Sequence, residues 1–419
     1  MLNGKRYCYD IHCHVMNLSH PNLLAFIRRI DLDRLIAINA IPFIGSIIAG
    51  ANLKKIANLL SIMEHSICEY LIAMEADLAR FRDMHGRIVI AGEAYDRMII
   101  TPLVMDFGSK YAATYPDIHY NKLSHKPVRE QVIDLLNGIR EYADHHRKHG
   151  TAPLFEVYPF LGINPDNYER DGTPARSGVR DLLGKYFGSV TKESPEARHA
   201  KLHAKMGTFS GNINDAAFDY NYLFAGIKVY PPAGYNPWPD DDAAREKVCD
   251  IYECCIARGI PVTTHCSGGG FLTADKNDAL SFASPKTWGA VLADKVYPSL
   301  TVNLAHFGGP LEKKPTAWAK AVSELARSKA NVYTDISYLC FSDEDYRRLN
   351  DTIVKTCRGD AGAIDRLKSK ICFGTDFMIN LLHTDSYTSY FEHFSSTAEL
   401  SFADRNRFIS ENPERFLFG

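Results

Sequence analysis

Eight short apolar runs, each followed by a stretch of helical character, leave this chain few folds to choose from. In the second half the alternation is regular. Phe224–Tyr230, Ile260–His265, Leu300–His306, Asn331–Ile336 and Lys370–Asp376 read as strands. Between and after them Asp242–Arg258, Lys286–Asp294, Thr316–Ser328, Asp343–Arg358 continuing to Ser369, Thr384–Phe394 and Phe402–Ser410 read as helices, the last with Ser401 and Asp404 spaced as a capping box. Upstream, Tyr9–Val15, Met98–Asp106 and Pro153–Pro159 supply three more strands. Strand–helix units in series require a parallel sheet with helices outside it, and eight of them close a (β/α)8 barrel. The predicted fold is therefore α/β, a TIM barrel, over a single domain spanning 1–419.

The polar residues fall selectively at the C-terminal ends of those strands: His12 and His14, Asp106, Lys228, His265, His306 and Asp376. In a (β/α)8 barrel these ends meet on one rim, where active sites are built. His12 and His14 are two apart on an extended strand and so share a face, with Asp10 one step deeper on it. Neutral imidazole is a common metal ligand. Two from strand one, one from strand five and the carboxylate of strand eight make a three-nitrogen, one-oxygen set with room for water. Either His265 or His306 alone would read as a hydrogen-bonded core residue; it is the common register that points to a site. Asp10 reads either as support behind the histidines or as a buried, hydrogen-bonded acid.

Two segments exceed what the barrel needs. Residues 18–85 form a helical insertion between strands 1 and 2, with apolar residues at Ile56, Leu59, Leu60, Met63, Ile67, Leu71, Met74 and Leu78, and 164–220 is an extended loop between strands 3 and 4 with a short helix near Val179–Tyr186. Leu35–Ala51 is apolar but broken by Pro42, Gly45 and Gly50, and reads as a buried hairpin or a cover rather than a membrane span. A formal charge of −2 gives no electrostatic case for nucleic acid or an anionic membrane. Ten cysteines without a CxxC pair suit reduced thiols, and Met1–Tyr7 has no apolar leader, so a cytoplasmic protein is expected. Cys13 and Cys266 alternate away from the face of their histidine neighbours, and Ser267–Gly270 lacks the Lys-Ser/Thr of a P-loop, reading instead as a turn close to substrate. Trp238 and the 164–220 loop are further candidates for the pocket wall, and Asp144–His149 reads as a solvated helix face.

The ordered set Asp10-Ile-His-Cys-His14, Gly226-Ile-Lys-Val-Tyr-Pro231, Thr264-His265, Ala305-His306-Phe-Gly-Gly309, Phe373-Gly-Thr-Asp376 and Glu411-Asn-Pro-Glu-Arg-Phe416 resembles the amidohydrolase superfamily. Within it the set is similar to the amidohydrolase-2 (amidohydrolase-related) family of metal-dependent enzymes, which includes the aminocarboxymuconate semialdehyde decarboxylase kind. The two insertions lie outside the resemblance. It implies that His12, His14, His265 and Asp376 hold one divalent metal, zinc, and that His306 stands beside the metal's water as base or orienting group, with Asp376 able to take the water's proton. Lys228 and Tyr230 are expected to contact an anionic substrate; the alternative is a second metal bridged by a carboxylated Lys228, or a lysine merely paired with Asp106 or Glu156. The implied activity is a hydrolase acting on a small organic anion. Non-oxidative decarboxylation of a carboxylated unsaturated or aromatic acid is the alternative within the fold, and a non-catalytic metal-binding barrel the alternative outside it. A homodimer is implied by analogy only.

Overall fold

The computed structural model describes residues 2–17, 55, 57–106, 128–173, 178–271, 274–293 and 295–419. Leu35–Ala51, Phe107–Gly108 and the whole first half of the 18–85 insertion lie outside them.

Eight parallel strand segments run in chain order round a ring: β1 (Tyr7–Cys13), β2 (Arg97–Pro102), β3 (Phe155–Val157, resuming at Phe160–Gly162), β4 (Gly226–Val229), β5 (Val262–His265), β6 (Val302–Ala305), β7 (Val332–Asp335) and β8 (Ile371–Cys372). Regular pairing forms two arcs. One joins β1, β2 and the first half of β3; the other joins the second half of β3 to β4, β5, β6, β7 and β8. The interruption in β3 has a local cause. Pro159 has no N–H to give the ladder, and its carbonyl instead accepts from Ala225 at 2.9 Å. The other seam, β8 to β1, is held by single bonds: Ile11 N–H to Phe373 O at 3.2 Å and Asp376 N–H to His12 O at 2.7 Å, with Cys13 bridging Phe377. The ring is thereby a (β/α)8 barrel. Gly374 permits the closure, since a Cβ there would lie 2.7 Å from that of His12.

All seven residues of β1 are buried, as expected of a strand covered on both faces. Asp10 explains part of the seam's strength. Its carboxylate accepts from the backbone N–H of His12 and Thr375 at 3.2 and 3.0 Å, and from the hydroxyls of Thr375 and Tyr387 at 2.6 and 3.1 Å. Asp10 is a tie between the first and last strands and does not touch either imidazole ring. Behind the same seam Ser410 donates to Tyr7 O at 2.7 Å and Asn412 to Ile371 O at 2.6 Å, which gives the Glu411–Phe416 stretch a latching role.

Several expectations are corrected here. The 164–220 segment holds, besides the short helix Val179–Phe187, a 3-10 turn Pro165–Asn167 and a second helix, Pro195–Lys205, that the sequence did not indicate. Lys276–Ala283 is a further helix ahead of Pro285–Val291, and the long helix after β7 divides into Asp343–Thr356 and Ala361–Lys368. Ahead of β2, Ile88–Ile90 and Glu93–Tyr95 pair as an antiparallel hairpin. In the insertion, Ser66 caps the helix Ile67–Asp77, and Leu59, Met63, Ile67, Leu71, Met74 and Leu78 are buried as their spacing requires. Asp106 lies beyond the end of β2 and binds Asn164 N–H at 2.9 Å and the Asn167 side chain at 2.8 Å, tying two loops together away from the rim site. Asp144–His149 is not wholly solvated: His146 is buried between Glu75 (3.0 Å) and Thr151 (2.8 Å). No disulfide links any of the ten cysteines, and among the described residues no helix is long and apolar enough to cross a membrane.

Candidate metal and substrate site

The strand ends converge on a cavity of about 550 Å³. His12, His14, Lys228, Tyr230, His265, His306 and Asp376 all line it, whereas Trp238 and the described part of 164–220 do not. Trp238 packs instead on Tyr297 and Arg245.

Four imidazoles each have one ring nitrogen committed to an oxygen that can only accept. His12 Nδ1 lies 2.9 Å from Asp335 Oδ2, His14 Nδ1 3.2 Å from Leu103 O, His306 Nδ1 3.0 Å from Ser337 O, and His265 Nε2 2.9 Å from Gly269 O. Those nitrogens therefore carry the N–H, and the opposite nitrogens present lone pairs. The lone pairs converge. His12 Nε2 and His14 Nε2 stand 3.5 and 3.2 Å from Asp376 Oδ1, and His265 Nδ1 stands 3.1 Å from His306 Nε2. Acceptors facing acceptors at such separations repel unless a cation lies among them. The ring orientation thus fits a bound metal on the chemistry of its donors, and imidazole with carboxylate suits zinc and its first-row neighbours.

His12, His14 and Asp376 form one compact ligand group. The predicted fourth member, His265, is not part of that group; its free nitrogen is turned to His306. A second grouping of His12, His306 and Asp335 is geometrically as tight, but His12 Nδ1 and Asp335 are already bonded to each other there, so it offers no empty position.

Electrostatics agree with this division of labour. Burial pushes the His12 imidazole down to about 4, with Asp335 opposing the shift and Lys228 adding to it, and burial with His306 and Lys228 takes His265 well down too. Both are neutral near pH 7, as metal ligands must be. Burial alone would raise the Asp376 carboxyl, but the His14 contact and the neighbouring histidines outweigh it and hold the group at about 2. Lys228 is 1% exposed and its Nζ has no hydrogen-bond partner among the described residues; burial lowers it to about 8 against the pull of Asp376 and Asp335. It is not paired with Asp106 or Glu156. Tyr230 sets its ring edge against His265 and accepts from Phe271 N–H at 2.7 Å, which pins the Ser267–Gly270 turn beside that histidine.

Asp335 and Ser337 were not singled out by the sequence. Asp335 accepts from His12, from Asn303 Nδ2 at 2.6 Å and from His306 N–H at 3.0 Å, and Ser337 Oγ lies 3.1 and 2.9 Å from the Nδ1 atoms of His12 and His306. They orient both rings, the kind of support metal-binding histidines generally have. His306 and Asp376 also hold left-handed backbone, φ 66° and 58°, a conformation that non-glycine residues keep only where the surroundings enforce it.

Residues 218–419 match the Amidohydrolase family model (Amidohydro_2). Over these residues the chain is similar to the amidohydrolase family. The match takes in β4 to β8 and with them Lys228, His265, His306, Asp335 and Asp376. A search of curated proteins finds no match. Among solved structures, 2,6-dihydroxybenzoate decarboxylase complexed with 2,6-dihydroxybenzoate aligns at 13% identity and TM-score 0.44, over 100% of this chain and 99% of that one. A structure described as amidohydrolase II aligns at 12% and 0.47, over 98% and 100%. A probable 2-pyrone-4,6-dicarboxylic acid hydrolase from Acinetobacter baumannii aligns at 11% and 0.43, over 98% and 99%.

Proposed function

We propose that the protein is a metal-dependent hydrolase that uses an activated water on a small organic anion. The observation that carries this reading is the convergence of four histidine lone pairs and one ionised carboxylate on the cavity beside an unpaired, buried ammonium. His12, His14 and Asp376 would hold a divalent metal, with His265 completing the set from the side of His306. A metal bound there supplies Lewis acidity and brings the pKa of water towards ~7.

The chain's own groups supply the rest. His306 is fixed by Ser337 O with its N–H pointing away, so its Nε2 is free to accept a proton from the attacking water and return it to the leaving group. Asp376, ionised at neutral pH, is the second acceptor for that proton. Lys228 attracts the anionic group of the substrate, and the low-polarity wall around it makes the charge pairing stronger than it would be in water. Tyr230, through its bond to Phe271, keeps the Ser267–Gly270 turn in place against the substrate.

Two measurements test this. Purified protein should contain about one equivalent of divalent metal and lose it on replacing His12 and His14; full metal content in the double variant, or none in the wild type, rules the site out. The metal-loaded protein, assayed on lactones, amides and carboxylated aromatics, should release hydrolysis products. Carbon dioxide from a carboxylated aromatic, without hydrolysis, would make it a decarboxylase instead.

A further inference from the structure

The cavity wall carries a second cation, more exposed than the first. Arg348 lies on the helix Asp343–Thr356 and lines the same space as Lys228, but its side chain is 35% exposed where Lys228 is sealed in. Its Nε reaches Glu344 Oε1 at 3.2 Å, and neither Nη atom has a hydrogen-bond partner among the described residues. Asp345, an acid on the same lining and the same helix, is already engaged: Oδ2 accepts from Phe341 N–H at 3.1 Å and Ser342 Oγ at 2.8 Å, closing the start of the helix. The guanidinium thus keeps a two-pronged donor edge for a carboxylate, a geometry that lysine does not offer.

The rest of the wall suits a ligand that carries its charges on an apolar body. Phe271, Leu311, Leu339, Phe341, Ile379 and Leu382 give the cavity an apolar character away from the histidines. Its volume of about 550 Å³ falls within the ~300–1,000 Å³ that encloses drug-sized ligands.

We propose that Arg348 is a specificity-determining residue that binds the second anionic group of an elongated organic dianion whose first anionic group meets Lys228. This rests on reading the cavity as the substrate site of a metal-dependent enzyme. Under it the preferred substrate carries carboxylates, or groups of like charge and shape, at opposite ends of an apolar or aromatic core. Truncating the outer carboxylate costs affinity through Arg348 alone.

The test uses matched probes on the full chain. Terephthalate is compared with benzoate, and biphenyl-4,4′-dicarboxylate with biphenyl-4-carboxylate, by titration calorimetry on metal-loaded wild type, Arg348→Ala and Arg347→Ala. Arg347 is the adjacent arginine, paired with Glu344 and Glu399 and absent from the cavity wall. In at least one pair the wild type should bind the dianion about tenfold or more tightly than the monoanion, a difference of about 1.4 kcal/mol. Arg348→Ala should erase that ratio while leaving the monoanion within about twofold, and Arg347→Ala should preserve it. The proposal is overturned by a ratio near one in both wild-type pairs, by a ratio that survives Arg348→Ala, or by equal loss in Arg347→Ala. Metal content of the same samples separates the two readings. Metal-loaded protein without the ratio overturns the role of Arg348 alone, and a ratio in protein that binds no metal overturns the hydrolase alone.

Discussion

Lys228 is the residue at which stability and function are most plainly opposed. An ammonium buried without a partner is costly to the fold, and its depression from 10.5 to about 8 corresponds to about 3 kcal/mol. The sign follows from proton counts: between about pH 8 and 10.5 the unfolded chain holds this proton and the folded chain does not, so the residue's penalty is full below pH 8 and relieved as pH rises. Lys228→Met should therefore raise the unfolding free energy of the metal-free protein at pH 7 by on the order of 2–3 kcal/mol and remove that alkaline rise, while weakening anion binding. Urea denaturation at pH 7 and 10 measures it; a variant no more stable than wild type would show that the ammonium is satisfied. The sequence made Lys228 visible because it broke an apolar strand, as did His12, His14, His265, His306 and Asp376. It hid Asp335, which closes a strand in the same way, because the acid's role depends on His12 Nδ1, 323 positions away. Nothing local to Thr334-Asp335-Ile336 announces that partner.

At the scale of elements, the Ser267–Gly270 turn is the piece most finely fitted to the site. Gly270 holds φ +103°, and a Cβ there would lie 2.6 Å from the Tyr230 hydroxyl and 3.1 Å from His265 Nε2. Gly270→Ala is expected to turn the His265 ring away from its Gly269 carbonyl and weaken metal binding by about tenfold or more, with overall helicity unchanged. Competitive chelator titration reads the affinity, and a wild-type value would mean that the turn relaxes without moving the ring. The strands were legible because they are short, apolar and end in polar residues. Pro195–Lys205 was not, because Leu202 is its one buried apolar residue; Arg198 and His199 fill the other inward positions, so hydrophobic periodicity had almost nothing to read. Its start did carry a signal, Ser194 before Pro195, with the serine side chain accepting from Ala197 N–H. Lys276–Ala283 hid in the same way, burying only Ala279 and Ala283.

Across the whole molecule, the barrel is stitched at the end opposite the cavity by Glu156, which accepts from His199 at 2.8 Å, His203 at 3.3 Å, Tyr7 at 3.2 Å and Tyr158. Burial alone would raise this carboxyl, but the two histidines and Tyr158 hold it far below 4.5. Its stabilisation is complete above about pH 4.5 and is lost as pH falls, while the part owed to the raised His203 is complete below pH 6.5 and fades as pH rises. Glu156→Gln should cost about 3 kcal/mol at pH 6, and its melting-temperature gap from wild type should narrow as the pH drops from 6 to 3. A gap that stays constant over that range would show the effect to be steric. The β1–β8 seam carries a different consequence. His12 lies in the first strand of the ring, His14 just after it and Asp376 just after the last, so the candidate ligand group comes together only once those two strands meet. During synthesis the two imidazoles emerge hundreds of residues before their carboxylate, and no partial ring can present the complete donor set. Under the proposed function, ion capture would therefore come after the longest loop in the chain has been closed and would stabilise only that closed state. On the proposed reading the metal would act as a seal of completion rather than a seed for folding, and a chain that lost its last strand would lose its ion with it.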